Sequence, residues 1–306
     1  PSWGSIVKLK TWPSARMFMG AVLLDGKSLS REIEDDLKLR VSKLKKKGIE
    51  PHLAVILIGD DIASHVYVRN KENACKRTGI ISTKVILPMA TLEEEVLQII
   101  DEMNKNNDIH GILVQSPTPR HIDELKITER IDPTKDVDGF HPWNLGKLVQ
   151  GDMRGLIPCT PAGIMKLLNN AKINLVGKKV TVIGRSRIVG MPLSLMLAQK
   201  GVDATVTITH SRSKDIEKIC MTSDVIIAAL GRPEFVKKEW IKHSTVIVDV
   251  GISRIIDSST NKYELVGDVE SSAMEKASYM TPVPGGVGPM TIAMLLTNTV
   301  NAANSN

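Results

Sequence analysis

The chain has 306 residues, 42% of them hydrophobic, 24% charged and 3% aromatic, with a formal net charge of +6. That length allows two domains with separate cores, and no apolar run approaches the roughly 18 residues that a membrane-spanning helix needs. Three cysteines without a CxxC pair argue against a disulfide framework or a metal-ligand cluster, and so few aromatics leave little for base stacking, so neither a membrane nor a nucleic-acid partner is expected.

The first 24 residues hold no Asp or Glu but include Lys8, Lys10 and Arg16. A basic, acid-free start has the character of an organellar transit segment, and a displaced start at Met17 accounts for it equally well. Residues 1–17 are therefore set aside as a leader, and the expected location is cytoplasmic, or organellar if the segment is a targeting remnant. Helical periodicity covers 28–47, ending in the lysines of 43–47, which suit the negative end of a helix dipole. A Val/Ile-rich strand follows at 53–59. Residues 60–80 read as a loop and a helix (63–78), with Tyr67 and Lys71 four apart on one face. That pair can offer a ring and a cation to one ligand, although a solvated amphipathic helix has the same spacing.

A strand at 83–88, a helix at 91–106 and a buried-looking strand at 111–115 come next. Gln115 falls at that strand's carboxyl end, aimed at any cleft above it. The turn-rich KDVDGFHPWN, residues 135–144, offers Asp136 and Asp138; alone, either acid fits a turn or helix cap. VQGDMRGLIPCT (149–160) reads as a linker between two α/β units, and a helix at 161–170 follows.

The strand at 178–184 runs into GRSRIVG and a helix at 190–200. Gly184 ends the strand and Gly190 opens the helix, which lets backbone N–H groups approach a phosphate. The turn is longer than the usual GxGxxG and lacks its middle glycine, so on spacing alone a plain βα turn also fits. The next strand, 204–210, ends in His210, Ser211 and Arg212, where an NAD site would place an acid for the ribose hydroxyls. With Arg185 these residues favour a 2′-phosphate, hence NADP over NAD. Strands at 223–230 and 244–251 put Gly231 and Gly251 on the same carboxyl edge. PVPGGVG (282–288) then precedes a last helix at 289–303. The alternation implies parallel sheets covered by helices on both faces. No HExxH, GxSxG or Cys/His pairing supports a metal or triad hydrolase.

Together YVRNK, GILVQ-P-P, KDVDGFHPWNLG, PCTPAGI, GRSRIVGMP and PVPGGVGPMT resemble, in order and spacing, the methylenetetrahydrofolate dehydrogenase/cyclohydrolase family, from about residue 20 to 303. The resemblance implies two three-layer α/β domains around a cleft. A folate-binding catalytic domain would take 18–157 plus 289–306, and a Rossmann-like NADP-binding domain 158–288. PVPGGVG would carry the last helix back to the first domain. It implies a homodimer joined through the NADP-binding domains, tetrahydrofolate derivatives as substrates, NADP as cofactor and no metal. The implied reaction oxidises 5,10-methylenetetrahydrofolate to the 5,10-methenyl cation and hydrolyses that to 10-formyltetrahydrofolate. A monofunctional dehydrogenase and a non-catalytic NADP- or folate-binding protein are the alternatives.

By this resemblance Lys71 handles the proton, Gln115 tunes it, Tyr67 stacks on the aminobenzoyl group and Asp138 binds the pterin edge. Pro284, Gly285 and Gly286 would also face the substrate. Gly184, Arg185, Ser186, Val189, Gly190, His210, Ser211, Arg212, Gly231 and Ile252 would line the cofactor site. One departure stands out: the family's Gln-Leu-Pro-Leu-Pro is here Gln115, Ser116, Pro117, Thr118, Pro119. Two apolar contacts become hydroxyls, which bears on packing around the substrate.

Overall fold

The computed structural model describes residues 20–257 and 262–305; the leader expected over 1–17 lies outside them. The first sheet is parallel, in the order β3 (Ile81–Leu87), β2 (His52–Ile58), β4 (Gly111–Val114). From Leu53 to Ile58 β2 is apolar because both its faces are covered. Leu53, Val55 and Leu57 pack under α1 (Gly26–Lys45) and α2 (Ile62–Thr78). Ala54, Ile56 and Ile58 pack under α3 (Glu93–Lys105) and α4 (Glu124–Arg130). Asp25 and Asp61 cap α1 and α2 by accepting the Ser28 and Ser64 amides at 3.0 and 2.8 Å. Gly79 ends α2 with φ +80°, a left-handed cap that costs glycine least.

α5 (Pro142–Val149) and α6 (Cys159–Asn170) lead to the second sheet. Its order is β1 (Val22–Leu23), β11 (Tyr279–Met280), β8 (Val246–Asp249), β7 (Val225–Ala228), β5 (Lys179–Ile183), β6 (Thr205–Thr209), all parallel. α7 (Gly190–Ala198) carries β5 to β6, and α8 (Ile216–Thr222) returns across to β7. The chain reverses direction at β5, whose carboxyl end is the topological switch point where open α/β sheets bind ligands. Val180 and Val182 face α6 and α7, whereas Ile183, Ile226 and Ile247 face the other layer with Cys220 of α8. β9 (Ser253–Asp257) and β10 (Lys262–Val266) form a separate antiparallel pair.

α9 (Val287–Ser305) belongs to both cores. Its Val287 and Met290 pack with Val180 and Ile164, while Ala293, Leu296, Val300 and Ala303 pack with Val55, Leu57 and Leu113. Gly163 of α6 lets it close in, since a Cβ there would stand 2.9 Å from the Met290 Cβ. The seven strands and six helices read from periodicity are all present. The short elements α4, α5, α8, β1, β9, β10 and β11 come in addition. Val22–Leu23 precede α1 yet pair with Tyr279–Met280 in the larger sheet, so the start of the first unit is shared between the two.

Candidate active site

The carboxyl ends of β2 and β4 build one side of the cleft. Gln115 follows β4 directly, and its amide donates to the Ile56 carbonyl at 2.8 Å. From α2, Lys71 Nζ donates to Gln115 Oε1 at 2.9 Å. The same Gln115 spends its Nε2 on the Ser116 carbonyl at 2.6 Å, which fixes the orientation of its amide plane. Burial pushes the Lys71 amine below the ordinary lysine range, opposed by the negative charge of Asp138 and by Cys159 and Cys75. Tyr67 lies one turn earlier on α2 and is 44% exposed, so its ring is open to a ligand.

Asp138 sits in the 135–144 loop. Burial raises its carboxyl to about 6, with Lys71 pulling it down and Asp136 pushing it up. The two acids of this loop have different duties. Asp136 is buried and accepts from the His141 amide at 2.8 Å and the Asn144 Nδ2 at 2.9 Å. It is a turn acid, and burial raises it to about 6 as well. Asn298 of α9, a residue that periodicity did not single out, ties this loop down. Its Nδ2 donates to the Val137 carbonyl at 2.8 Å and to the Ile157 carbonyl at 2.9 Å. Cys159 Sγ lies against the Val137 carbonyl at 3.2 Å, and burial pushes its thiol well above the usual range. It is packed rather than reactive.

Pro284, Gly285 and Gly286 lie on the amino end of α1. The Gly285 carbonyl accepts from the Lys27 amide at 2.8 Å. A Cβ on Gly26 would stand 1.7 Å from the Gly286 carbonyl oxygen, so that contact demands glycine.

The register of the larger sheet levels its carboxyl edge: Ile183 stands opposite Thr209 and Ala228, and Ala228 opposite Asp249. Gly184, His210, Gly231 and Ile252 therefore emerge along one edge. Gly184 has φ +120°, and its Cβ would meet the Ala229 carbonyl oxygen at 2.2 Å. A Cβ on Gly190 would meet the Gly184 carbonyl oxygen at 2.1 Å. The turn is thus closed by two glycines without the middle one of the usual fingerprint. Ser186 Oγ takes part in its place, accepting from the Val189 amide at 3.2 Å and the Gly190 amide at 3.4 Å. Val189 is buried while Arg185 and Ser186 remain exposed at the amino end of α7. Past β6, the His210 amide donates to Ser213 Oγ at 3.0 Å and the Arg212 amide to His210 Nδ1 at 3.2 Å. This compact turn leaves Ser211 and Arg212 exposed. A glycine cradle, a helix amino end and basic side chains without an acid at the end of β6 fit a dinucleotide bearing a 2′-phosphate.

Residues 24–138 match the catalytic domain of tetrahydrofolate dehydrogenase/cyclohydrolase, and residues 158–306 match its NAD(P)-binding domain. The bifunctional protein FolD of Moorella thermoacetica is 52% identical over 286 residues, 93% of this chain and 99% of that protein. The structure of the bifunctional enzyme FolD from Campylobacter jejuni superposes with a TM-score of 0.89 and 46% identity, covering 93% of this chain and 99% of that one. The Trypanosoma brucei methylenetetrahydrofolate dehydrogenase-cyclohydrolase, complexed with NADP cofactor and inhibitor, gives a TM-score of 0.88 and 38% identity over 94% of this chain and 98% of its own. Fold, strand-end geometry and these likenesses agree, and the chain belongs to the tetrahydrofolate dehydrogenase/cyclohydrolase family.

Proposed function

We propose that Lys71, Gln115, Tyr67 and Asp138, with Pro284, Gly285 and Gly286, receive the folate. The 184–190 turn, His210, Ser211, Arg212, Gly231 and Ile252 then receive NADP. The enzyme oxidises 5,10-methylenetetrahydrofolate to 5,10-methenyltetrahydrofolate with NADP⁺ and hydrolyses the product to 10-formyltetrahydrofolate. The observation that carries the residue assignment is the 2.9 Å hydrogen bond from Lys71 Nζ to Gln115 Oε1, set beside the Asp138 charge.

Bound NADP⁺ supplies the hydride acceptor. Loss of hydride leaves a carbon between two nitrogens whose lone pairs take up the positive charge, so this step rests on positioning. Tyr67 offers a ring face to the aminobenzoyl group and Asp138 a carboxylate to the donor edge of the aminopyrimidine. In the second step water adds to the cation and must lose a proton. Lys71, with its amine depressed by burial, has a neutral fraction able to take that proton. Gln115 holds one of its N–H bonds and thereby orients the lone pair. The proton returns to the leaving ring nitrogen as the carbon–nitrogen bond breaks, and the carbinol hydroxyl gives its own proton to solvent as it becomes the formyl carbonyl, so the cation and water yield the neutral product and one released proton.

A Lys71→Ala variant tests this assignment. It should lose hydrolysis of methenyltetrahydrofolate while its NADP⁺ affinity stays within about twofold of the parent. Retained hydrolysis would remove Lys71 from the mechanism.

We further propose a folate-binding unit of 18–157 with 289–306, and a nucleotide-binding unit of 158–288. The α9 contacts with β2 and β4 support the first, although Val22–Leu23 are lent to the other sheet. A homodimer through the nucleotide-binding unit is proposed too, supported by the β9–β10 hairpin. That hairpin stands apart from the main sheet with Ile256, Tyr263 and Leu265 exposed. Sedimentation at micromolar concentration tests it, and a monomer would refute it. A cytoplasmic location is proposed on the same family grounds; no helix among the described residues is long and apolar enough to cross a membrane.

A further inference from the structure

The segment that departs from the family pattern is joined to the nucleotide turn. Ser116 Oγ, one of the two new hydroxyls, donates to the Glu124 carboxylate at Oε1. The Thr118 amide donates to the same oxygen at 3.2 Å. The other oxygen, Oε2, accepts Arg187 Nη2 at 2.8 Å. Arg187 lies in the 184–190 turn, between Ser186, whose hydroxyl organises that turn, and Val189, whose amide it receives. On the other side the Ser116 carbonyl accepts Gln115 Nε2, and Gln115 Oε1 accepts Lys71. One unbroken chain of polar contacts therefore runs from Lys71 Nζ through Gln115, Ser116 and Glu124 to Arg187. It crosses from the folate side of the cleft to the nucleotide side.

Such a chain has a physical consequence. Each contact restricts the group at its end, so fixing one end lowers the entropy lost when the other is fixed. A nucleotide that settles the 184–190 turn also settles Arg187, then Glu124, then the 115–118 segment. The Glu124 carboxyl is well suited to the middle of the chain. Burial raises it, yet the Ser116 hydroxyl, the Thr118 amide and Arg187 together hold it below the ordinary range, so it stays ionised. The Ser116 link runs through a hydroxyl that a leucine at this position would lack.

We infer that Glu124 is a positioning residue that couples occupancy of the nucleotide turn to the geometry of the Lys71–Gln115 pair, through Ser116 on one side and Arg187 on the other. The inference rests on the proposed placement of folate at Lys71 and Gln115 and of NADP at the 184–190 turn. Its readout is the change in NADP⁺ affinity that a folate produces, which a purely structural residue would leave alone.

The test uses the full chain and tetrahydrofolate, which carries no one-carbon unit and cannot turn over. NADP⁺ dissociation constants are measured by calorimetry with and without saturating tetrahydrofolate, for the parent, Ser116→Leu, Glu124→Gln and Arg187→Ala. The parent should bind NADP⁺ about fivefold or more tightly when the folate is present. In each variant that factor should fall below about twofold, with melting temperatures close to the parent. Glu124→Gln keeps an acceptor for Ser116 but loses the charge facing Arg187, so it isolates the nucleotide half of the chain. A double-mutant cycle of Ser116→Leu with Arg187→Ala should show the second change adding nothing to the lost coupling.

An undiminished factor in Glu124→Gln and Ser116→Leu would overturn the inference, as would a parent with no coupling. Failure of the underlying site assignment reads differently. There, Gln115→Ala would bind tetrahydrofolate and turn over the methylene substrate as the parent does. If Gln115→Ala is impaired while the Glu124 variant keeps its coupling, the coupling alone is refuted.

Discussion

Replacing Gln115 with glutamate puts a carboxylate where an amide oxygen now accepts the Lys71 ammonium at 2.9 Å. The size of the effect follows from that distance. Two unit charges so placed attract by about 6 kcal/mol at an effective dielectric of 20, and by about 1.4 kcal/mol in bulk water. Lys71 is neither fully buried nor free in solvent, so the two figures bracket the result. At 1.36 kcal/mol per pH unit, the lysine pKa should rise by about one to four units. The sign is fixed: the new carboxylate stabilises the ammonium, counteracting the burial that now depresses it. The neutral amine fraction should therefore fall, and hydrolysis of methenyltetrahydrofolate with it. The assay is the pH–rate profile of hydrolysis, following methenyl absorbance between pH 6 and 10. The limb that rises with pH should move upward in Gln115→Glu. Gln115→Asn, which shortens the side chain without adding charge, should lower the rate without that displacement. A Gln115→Glu profile with an unmoved limb would refute the claim that neutral Lys71 carries the water proton.

Three further changes probe other parts of the site. Gly190→Ala drives a methyl to within 2.1 Å of the Gly184 carbonyl, and should weaken NADP⁺ binding by about tenfold or more, while folate binding measured alone changes little. Arg212→Ala and Ser211→Ala should raise the KM for NADP⁺ about tenfold with little effect on NAD⁺; equal effects on both cofactors would refute the 2′-phosphate assignment. Asn298→Leu leaves the Val137 and Ile157 carbonyls without their shared donor and should cost about 2–3 kcal/mol in urea denaturation. It should also raise the folate KM, because Asp138 follows Val137 directly.

Long elements with one clear hydrophobic rhythm were legible in the sequence. β2 could be read because its seven residues are covered on both faces, and α3 because Val96, Ile100 and Met103 return at helical spacing. α4 could not be read, since Ile127 is its one buried residue in seven. β1 and β11 are two residues each and exist because neighbouring strands offer hydrogen bonds, which no local pattern records. Gln115 was placed correctly by its position after a buried strand. Asn298 and Glu124 were invisible for one shared reason. A polar residue on a helix reads as a solvated face, and their partners lie far off in sequence: Val137 is 161 residues from Asn298, and Arg187 63 from Glu124.

The proline- and glycine-rich stretch before α9 belongs to the same problem. After β11, which lies between β1 and β8, the chain must leave one sheet, pass over the amino end of α1 and enter the core of the other unit. Gly26 lets two backbones meet where any side chain would collide with the Gly286 carbonyl. Once across, α9 is held near its start and at its middle: Thr291 Oγ1 meets Thr160 Oγ1 at 2.9 Å, and Asn298 grips the loop that carries Asp138. The substrate side of the cleft is thus assembled from α2, the end of β4, the 135–144 loop and the last helix of the chain. A change in α9 that never approaches the ligand can therefore move Asp138, the carboxylate proposed to bind it. That is why the Asn298 substitution should appear in the folate KM as well as in the denaturation curve, whereas a substitution at the exposed Asn304 of the same helix should appear in neither.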